Sequence, residues 1–300
     1  MKHNSINRIS VIMMLSILSM SIITSCESQQ SVPGNTIKYK VSLADISTKG
    51  ELVNDNDNGN FSDIELAETL SPFYVAAFNG GNPVFKTSEQ NPAGVETVSY
   101  ADEDWTMTNV YFWPQKTSLK FFAYGNLPES GSSVTIAPDG QAQTLTHALV
   151  PAVADQKDIL LGYYNGYGSG SGIAEIRFKH PLTAVYFKVG NLGTEKVKSI
   201  TLSGLGKNGN VVMGVDGTIG AWAGVTDYTG TSTQSEEEGL SVNGTTQVIG
   251  DPFILIPQDL TTNKVKLVVE FLSGLTLETT IESGKWQAGK TNIYTLRNND

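Results

Sequence analysis

At 300 residues the chain is long enough for about two domains, each burying a core of its own. Thirty acids against 20 lysines and arginines give a net charge of −10, which sets the surface against nucleic acid and anionic membranes. One cysteine excludes an internal disulfide, and three histidines make the usual His/Cys zinc site a poor fit. Valine, threonine, tyrosine and phenylalanine recur in short runs broken by glycine, asparagine, serine and proline. No long amphipathic helix, heptad array or fixed-period repeat accompanies them, so the class is all-β, built of sandwiches.

At the N-terminus Lys2 and Arg8 flank a polar opening, and Ile9 to Ile23 is an apolar run of 15 residues. As a helix that run spans ~22 Å, short of the ~30 Å hydrocarbon layer, so residues 1–25 read as a signal peptide. The run closes on Ile23-Thr24-Ser25-Cys26, which resembles a bacterial lipobox. The competing reading is an ordinary signal that ends near a thiol, but the cysteine falls where the apolar run stops. The resemblance implies that Cys26 is acylated and becomes the mature N-terminus. More than one acyl chain holds a protein stably at a bilayer, so Cys26 would be a lasting anchor in outer-membrane lipid. Residues 26–35 are then a polar, flexible tether. Without the first 25 residues the chain keeps 18 bases and 30 acids, a net of −12.

The first domain is predicted over 36–168. Ile37, Tyr39, Val41 and Leu43 alternate with polar or small neighbours, which marks a strand with one buried face. Thr48-Lys49-Gly50 follows in an exposed loop, so Lys49 and Gly50 form a candidate site for a trypsin-like protease. The next run, Asn54 to Asn60, invites a calcium reading with Asn54, Asn56, Asn58, Gly59 and Glu65 at EF-hand spacing. Its first position lacks the usual aspartate and no helix enters it, which favours a solvated turn. Further strands are expected at Phe73 to Phe78, Val110 to Trp113, Leu119 to Tyr124, Val134 to Ile136 and Asp158 to Tyr164. Tyr163, Tyr164 and Tyr167 could stack a sugar, although tyrosines at a strand end more often pack a ring and wet a hydroxyl.

Gly166 to Gly172 is the most glycine-dense run, and a second domain is predicted over 173–300. In Ile173 to Val189 the apolar positions are first even (Ala174, Ile176, Phe178) and then odd (Val185, Phe187, Val189). A strand cannot change parity unless something resets it, and His180-Pro181 sits at the change. Gly204 to Gly209 fits G-x-G-x-x-G by letter, but a strand follows where a dinucleotide site needs a helix, so a hairpin turn is expected. Thr226 to Gly239 reads as a long solvated loop. Strands are expected at Phe253 to Ile256, Val265 to Phe271, Leu275 to Ile281 and Asn292 to Leu296.

The catalytic vocabulary is thin. There is no G-x-S-x-G elbow and no P-loop. Members of a Ser-His-Asp triad need not be neighbours in sequence, so His147 and His180 leave that arrangement open. Acidic pairs suited to glycoside hydrolysis are too many to single one out. No residue is assigned a catalytic, metal or cofactor role, and an enzyme is the least favoured class.

Several segments together resemble the fimbrillin (Mfa-like) family of type V pilus subunits. They are Val110 to Pro114 with Leu119 to Tyr124, Lys157 to Leu160, Phe178 to Thr183, Ile256-Pro257-Gln258, and Trp286 to Lys290 before Tyr294. The resemblance spans about 36–296. It implies a lipoprotein precursor with two tandem transthyretin-like β-sandwich domains. It also implies that an Arg- or Lys-specific protease removes the first strand, so that the open groove accepts a strand from another subunit. Ile37 to Ile46 would be the removable strand, with Lys49 where the family usually has arginine. Four residues follow Leu296, ~14 Å at full extension, against the ~33 Å needed to fill such a groove. The expectation is therefore a tip-like or accessory subunit at the cell surface or fimbrium. Its partners would be other pilus subunits, the processing protease, the outer membrane and a surface receptor. The alternative is a surface lipoprotein that binds glycan without polymerising.

Overall fold

The computed structural model describes residues 35–43, 70–168, 172–192, 195–244 and 247–297. Apart from a 3-10 turn at Val153–Asp155 and the helical residue Leu70, the regular structure of the described residues is strand. In chain order the strands are β1 (Lys38–Leu43), β2 (Phe73–Asn79), β3 (Asn82–Pro83), β4 (Glu96–Ala101), β5 (Asp104–Met107) and β6 (Leu119–Gly125). Then come β7 (Ser132–Ile136), β8 (Ala142–Ala148), β9 (Leu160–Gly166), β10 (Ile173–Lys179), β11 (Thr183–Asn191) and β12 (Val197–Leu205). The last six are β13 (Asn208–Gly214), β14 (Gly230–Ser235), β15 (Val248–Leu255), β16 (Val265–Phe271), β17 (Thr276–Ile281) and β18 (Thr291–Arg297).

The largest sheet has the order β1-β10-β9-β6-β2-β4-β5, with β3 attached to β2. Its central strands are buried on both faces. Phe73, Val75 and Ala77 of β2 point into one core, while Ala76 and Phe78 point into another. Phe121 and Phe122 of β6 divide in the same way. This explains why these strands read as continuous apolar runs, whereas β1 and β10 alternate. In β10 only Ala174, Ile176 and Phe178 are buried, and Glu175 and Arg177 face solvent.

The second half of the chain forms a sandwich. Sheet β15-β11-β18 faces sheet β14-β12-β16-β17 across a core that includes Val185, Phe187, Ile200, Phe253 and Val269. The other face of β11 is also buried, with Ala184 and Tyr186 entering the core shared with β2, β6 and β9. Sheet β13-β8-β7 contributes Ile136, Leu145, Val211 and Met213 to that shared core. The parity change at His180-Pro181 is where the chain leaves the first sheet and enters the sandwich. Two strands of the 173–300 segment belong with earlier ones: β10 pairs β1 and β9, and β13 pairs β8.

Three local expectations are corrected. Gly206-Lys207 does not close a hairpin, because β12 pairs β14 and β16 while β13 pairs β8. Gly204 makes the crossing possible: its φ is +89°, and a side chain there would strike the Lys264 carbonyl oxygen. The expected loop 226–239 contains β14, whose inward residues are the polar Ser232 and Gln234. Gln234 is satisfied in the interior, its amide nitrogen donating to Asp251 O (3.0 Å) and its oxygen accepting from Asp251 N (2.9 Å). Val110 to Trp113 is not a ladder strand; it crosses the start of β1 as a strap with one bridge, Thr36 to Phe112.

Candidate functional site: the seam closed by the first strand

Among the described residues β1 is an edge strand. It runs parallel to β10, with Tyr39 opposite Ala174 and Val41 opposite Ile176. The ladder to β10 and the inward side chains of β1 both hold it there. Ile37, Tyr39 and Val41 are buried in the first core, while Lys38 and Lys40 are exposed. The Tyr39 ring meets Phe73 and Phe121 edge-on, at centroid distances of 5.9 and 6.3 Å. Such pairs contribute about 0.5–1.5 kcal/mol each beyond burial.

The sheet curls until its two ends meet, so that β1 lies against β5. Tyr39 Oη donates to Met107 Sδ (3.3 Å) across that seam. Burial pushes the Tyr39 hydroxyl well above the ordinary tyrosine range, and the charge of Glu96 and the nearby Tyr111 add to it. The phenol is therefore a neutral donor at any physiological pH. β1 closes the core like a stave, bonded by a full ladder on the β10 side and by side chains on the other.

The strap holds the beginning of β1. Ile37 N donates to Tyr111 O (2.9 Å) and Trp113 N to Asn35 O (2.9 Å). Trp113 Nε1 donates to Gly172 O (2.7 Å), the same carbonyl that accepts Lys38 N (2.8 Å). Tyr111 Oη donates to Glu96 Oε1 (2.6 Å) and accepts from Lys86 N (3.1 Å). Burial, then the Glu96 hydrogen bond, raises the Tyr111 pKa against the opposing bond from Lys86. Tyr111 and Trp113 point inward while Val110 and Phe112 are exposed, so the apolar run expected to be a strand is a clamp.

Cys26, Lys49, Gly50 and the Asn54–Asn60 run lie outside the described residues. The three tyrosines do not form a platform. Tyr163 and Tyr164 are adjacent in β9 and so face opposite ways: Tyr163 packs on Phe122, Tyr164 on Phe121, and Tyr167 alone is well exposed. The histidines are also apart. His147 Nδ1 meets Ser132 Oγ at 2.7 Å with no carboxylate on Nε2, which is buried without a partner. His180 Nδ1 meets Asp158 Oδ2 at 2.6 Å. Among the described residues neither pair is completed to a triad. Among the described residues no three His, Cys, Asp or Glu side chains converge as metal ligands.

A family model described as fimbrillin-like matches residues 73–300, from the first residue of β2 onward. The chain belongs to the fimbrillin-like family. Two solved structures have a similar fold. One is of a candidate cell adhesion protein from Bacteroides ovatus, at 15% identity, covering 89% of this chain and 93% of that one, with a TM-score of 0.56. The other is of a candidate cell adhesion protein from Bacteroides uniformis, also at 15% identity, covering 88% and 93%, with a TM-score of 0.53. No curated protein matches this fimbrillin-like chain. Membership of that family makes this a protein of the fimbrial class.

Proposed function

We propose that this fimbrillin-like protein is a structural, adhesive subunit of a type V pilus that assembles by replacement of β1. The observation that carries the reading is the place of β1: an edge strand, parallel to β10, whose Ile37, Tyr39 and Val41 fill an otherwise complete core. Removing it would leave an apolar row and unpaired backbone groups along β10, and an incoming strand supplies partners for both. In this reading Cys26 is lipidated and anchors the precursor in the outer membrane. A protease cuts between Lys49 and Gly50, and the strand ahead of the cut is then exchanged.

The subunit sits at the tip or in an accessory position. β18 is bonded to β11 from Thr291 to Arg297 with Leu296 in the core, so the last described strand is engaged in its own sheet. In this proposal the chain has two domains, 36–168 and 173–300, whose sheets exchange strands: β10 and β13 of the second segment pair with strands of the first.

Digestion with a lysine-specific protease followed by mass spectrometry tests the reading. The expected products are a short N-terminal peptide ending at Lys49 and a folded body starting at Gly50. The body, once stripped of the peptide, should bind a synthetic strand covering residues 36–46. A stripped body that stays soluble and takes up no strand would rule replacement out.

A further inference from the structure

We propose that the strap from Asn109 to Trp113 is a latch that keeps β1 seated after the chain has been cut behind it, so that cleavage and strand departure are separate events. The inference rests on the strand-replacement reading above and adds to it an order of events.

The geometry is asymmetric along β1. From Tyr39 to Leu43, among the described residues, the backbone is laddered on one side, by β10, and the other side has the single Tyr39–Met107 side-chain bond. At residues 35–37 it is gripped on the other side too, by Tyr111 O and Trp113 N. The grip is rigid because both strap residues are pinned elsewhere. Tyr111 is held by Glu96 and Lys86, with its ring 4.5 Å from Phe85. Trp113 is buried, packs 5.5 Å from Phe121, and bonds the Gly172 carbonyl that also receives β1. No side chain at Gly168 would fit beneath the Trp113 ring, so the tryptophan lies directly on that backbone.

A cut beyond Leu43 frees the end of β1 that is held least and leaves the latched end in place. Peeling must then start at Leu43 and reach Ile37 last. A competing strand can enter from the same end and displace β1 residue by residue, while spontaneous loss is not complete until the latch itself breaks. The latch thus guards the apolar groove until a replacement has arrived, which limits the time an open edge is exposed to unwanted pairing.

The test makes the cut independent of Lys49. A recognition sequence for a site-specific protease is placed at residues 54–60 of the full chain, and the N-terminal segment carries a fluorophore. After cleavage, loss of the labelled segment from the folded body is followed by gel filtration. The parent should keep the segment for hours, and an unlabelled 36–46 peptide should speed its loss. Tyr111→Phe and Trp113→Leu should each release it at least tenfold faster without added peptide. Val110→Ser, on the outward face of the same strap, should release it at the parent rate. Circular dichroism of each uncut variant checks that the body is folded, and Glu96→Gln, which weakens the tethers on Tyr111 and Asn109, serves if Trp113→Leu is not. Equal release from parent, Tyr111→Phe and Glu96→Gln would overturn the latch. That outcome leaves uptake of a strand by the stripped body, the test of the replacement reading, to be judged by itself.

Discussion

His147 and His180 show how one residue type is driven in opposite directions by its surroundings. Burial lowers the His147 pKa from 6.5 to about 4, and Nε2 has no partner to offset it. Between those two values the unfolded chain binds a proton that the folded chain refuses, so stability rises with pH across that window. The group is worth up to about 3 kcal/mol over that span. At His180 burial also pulls downward, but the charge and hydrogen bond of Asp158 outweigh it, and the pKa is raised. Its contribution is complete below the ordinary histidine value and is lost as pH climbs through the raised one. Denaturant titrations at stepped pH should therefore show a shallower acid limb in His147→Asn and a shallower alkaline limb in His180→Asn. A parent-like slope in either variant would contradict the assignment for that histidine.

At the level of strands and turns, the sequence was readable wherever side-chain alternation tracked burial. β1, β10 and β16 have one wet face and announce it. The parity change across His180-Pro181 located the passage between sheets, although the second half hides a further point: Ala184 and Tyr186 are buried too, because β11 has core on both sides. β14 was illegible because its inward residues are polar and are satisfied by partners distant in sequence. β4, β5 and β8 pack too few apolar side chains inward to stand out from loop. The strap carries a strand's alternation without a strand's ladder, so its part in the seam could only be seen in three dimensions. Gly204 carries a sharp expectation here: Gly204→Ala forces a side chain toward the Lys264 carbonyl in a left-handed conformation and should cost roughly 2 kcal/mol or more by thermal denaturation. Hydrogen exchange provides another. Amides of Tyr39 to Leu43, which among the described residues have one neighbouring strand, should exchange well before those of β2 and β6, which are flanked on both sides. Protection of β1 equal to that of β6 would mean that the stave is not separable from the sheet.

For the molecule as a whole, the question is whether two sandwiches unfold as two bodies. The shared core argues that they do not. It draws Phe78 and Phe122 from the first sheet, Val211 and Met213 from β13, and Tyr186 and Ile254 from the second sandwich. Splitting the chain at 168 would remove β10, which stands between β1 and β9, and β13, which flanks β8 on the side opposite β7. A fragment ending at 168 would expose Phe178's socket in one core and one face of β8 in another. Losing a buried phenylalanine alone costs about 3–5 kcal/mol, a large part of the 5–15 kcal/mol that holds a typical domain. Extending the fragment to 179 restores β10 and leaves the shared core uncovered. Scanning calorimetry of residues 35–297 should accordingly give one transition, with calorimetric and van't Hoff enthalpies in agreement. The fragments 35–179 and 180–297 should each be insoluble or lack a cooperative transition. Two resolved transitions in the intact chain, or a fragment 35–179 that folds alone, would mean that the shared core is a contact between independent domains, and that β13 is lent to the first sandwich at little consequence to either.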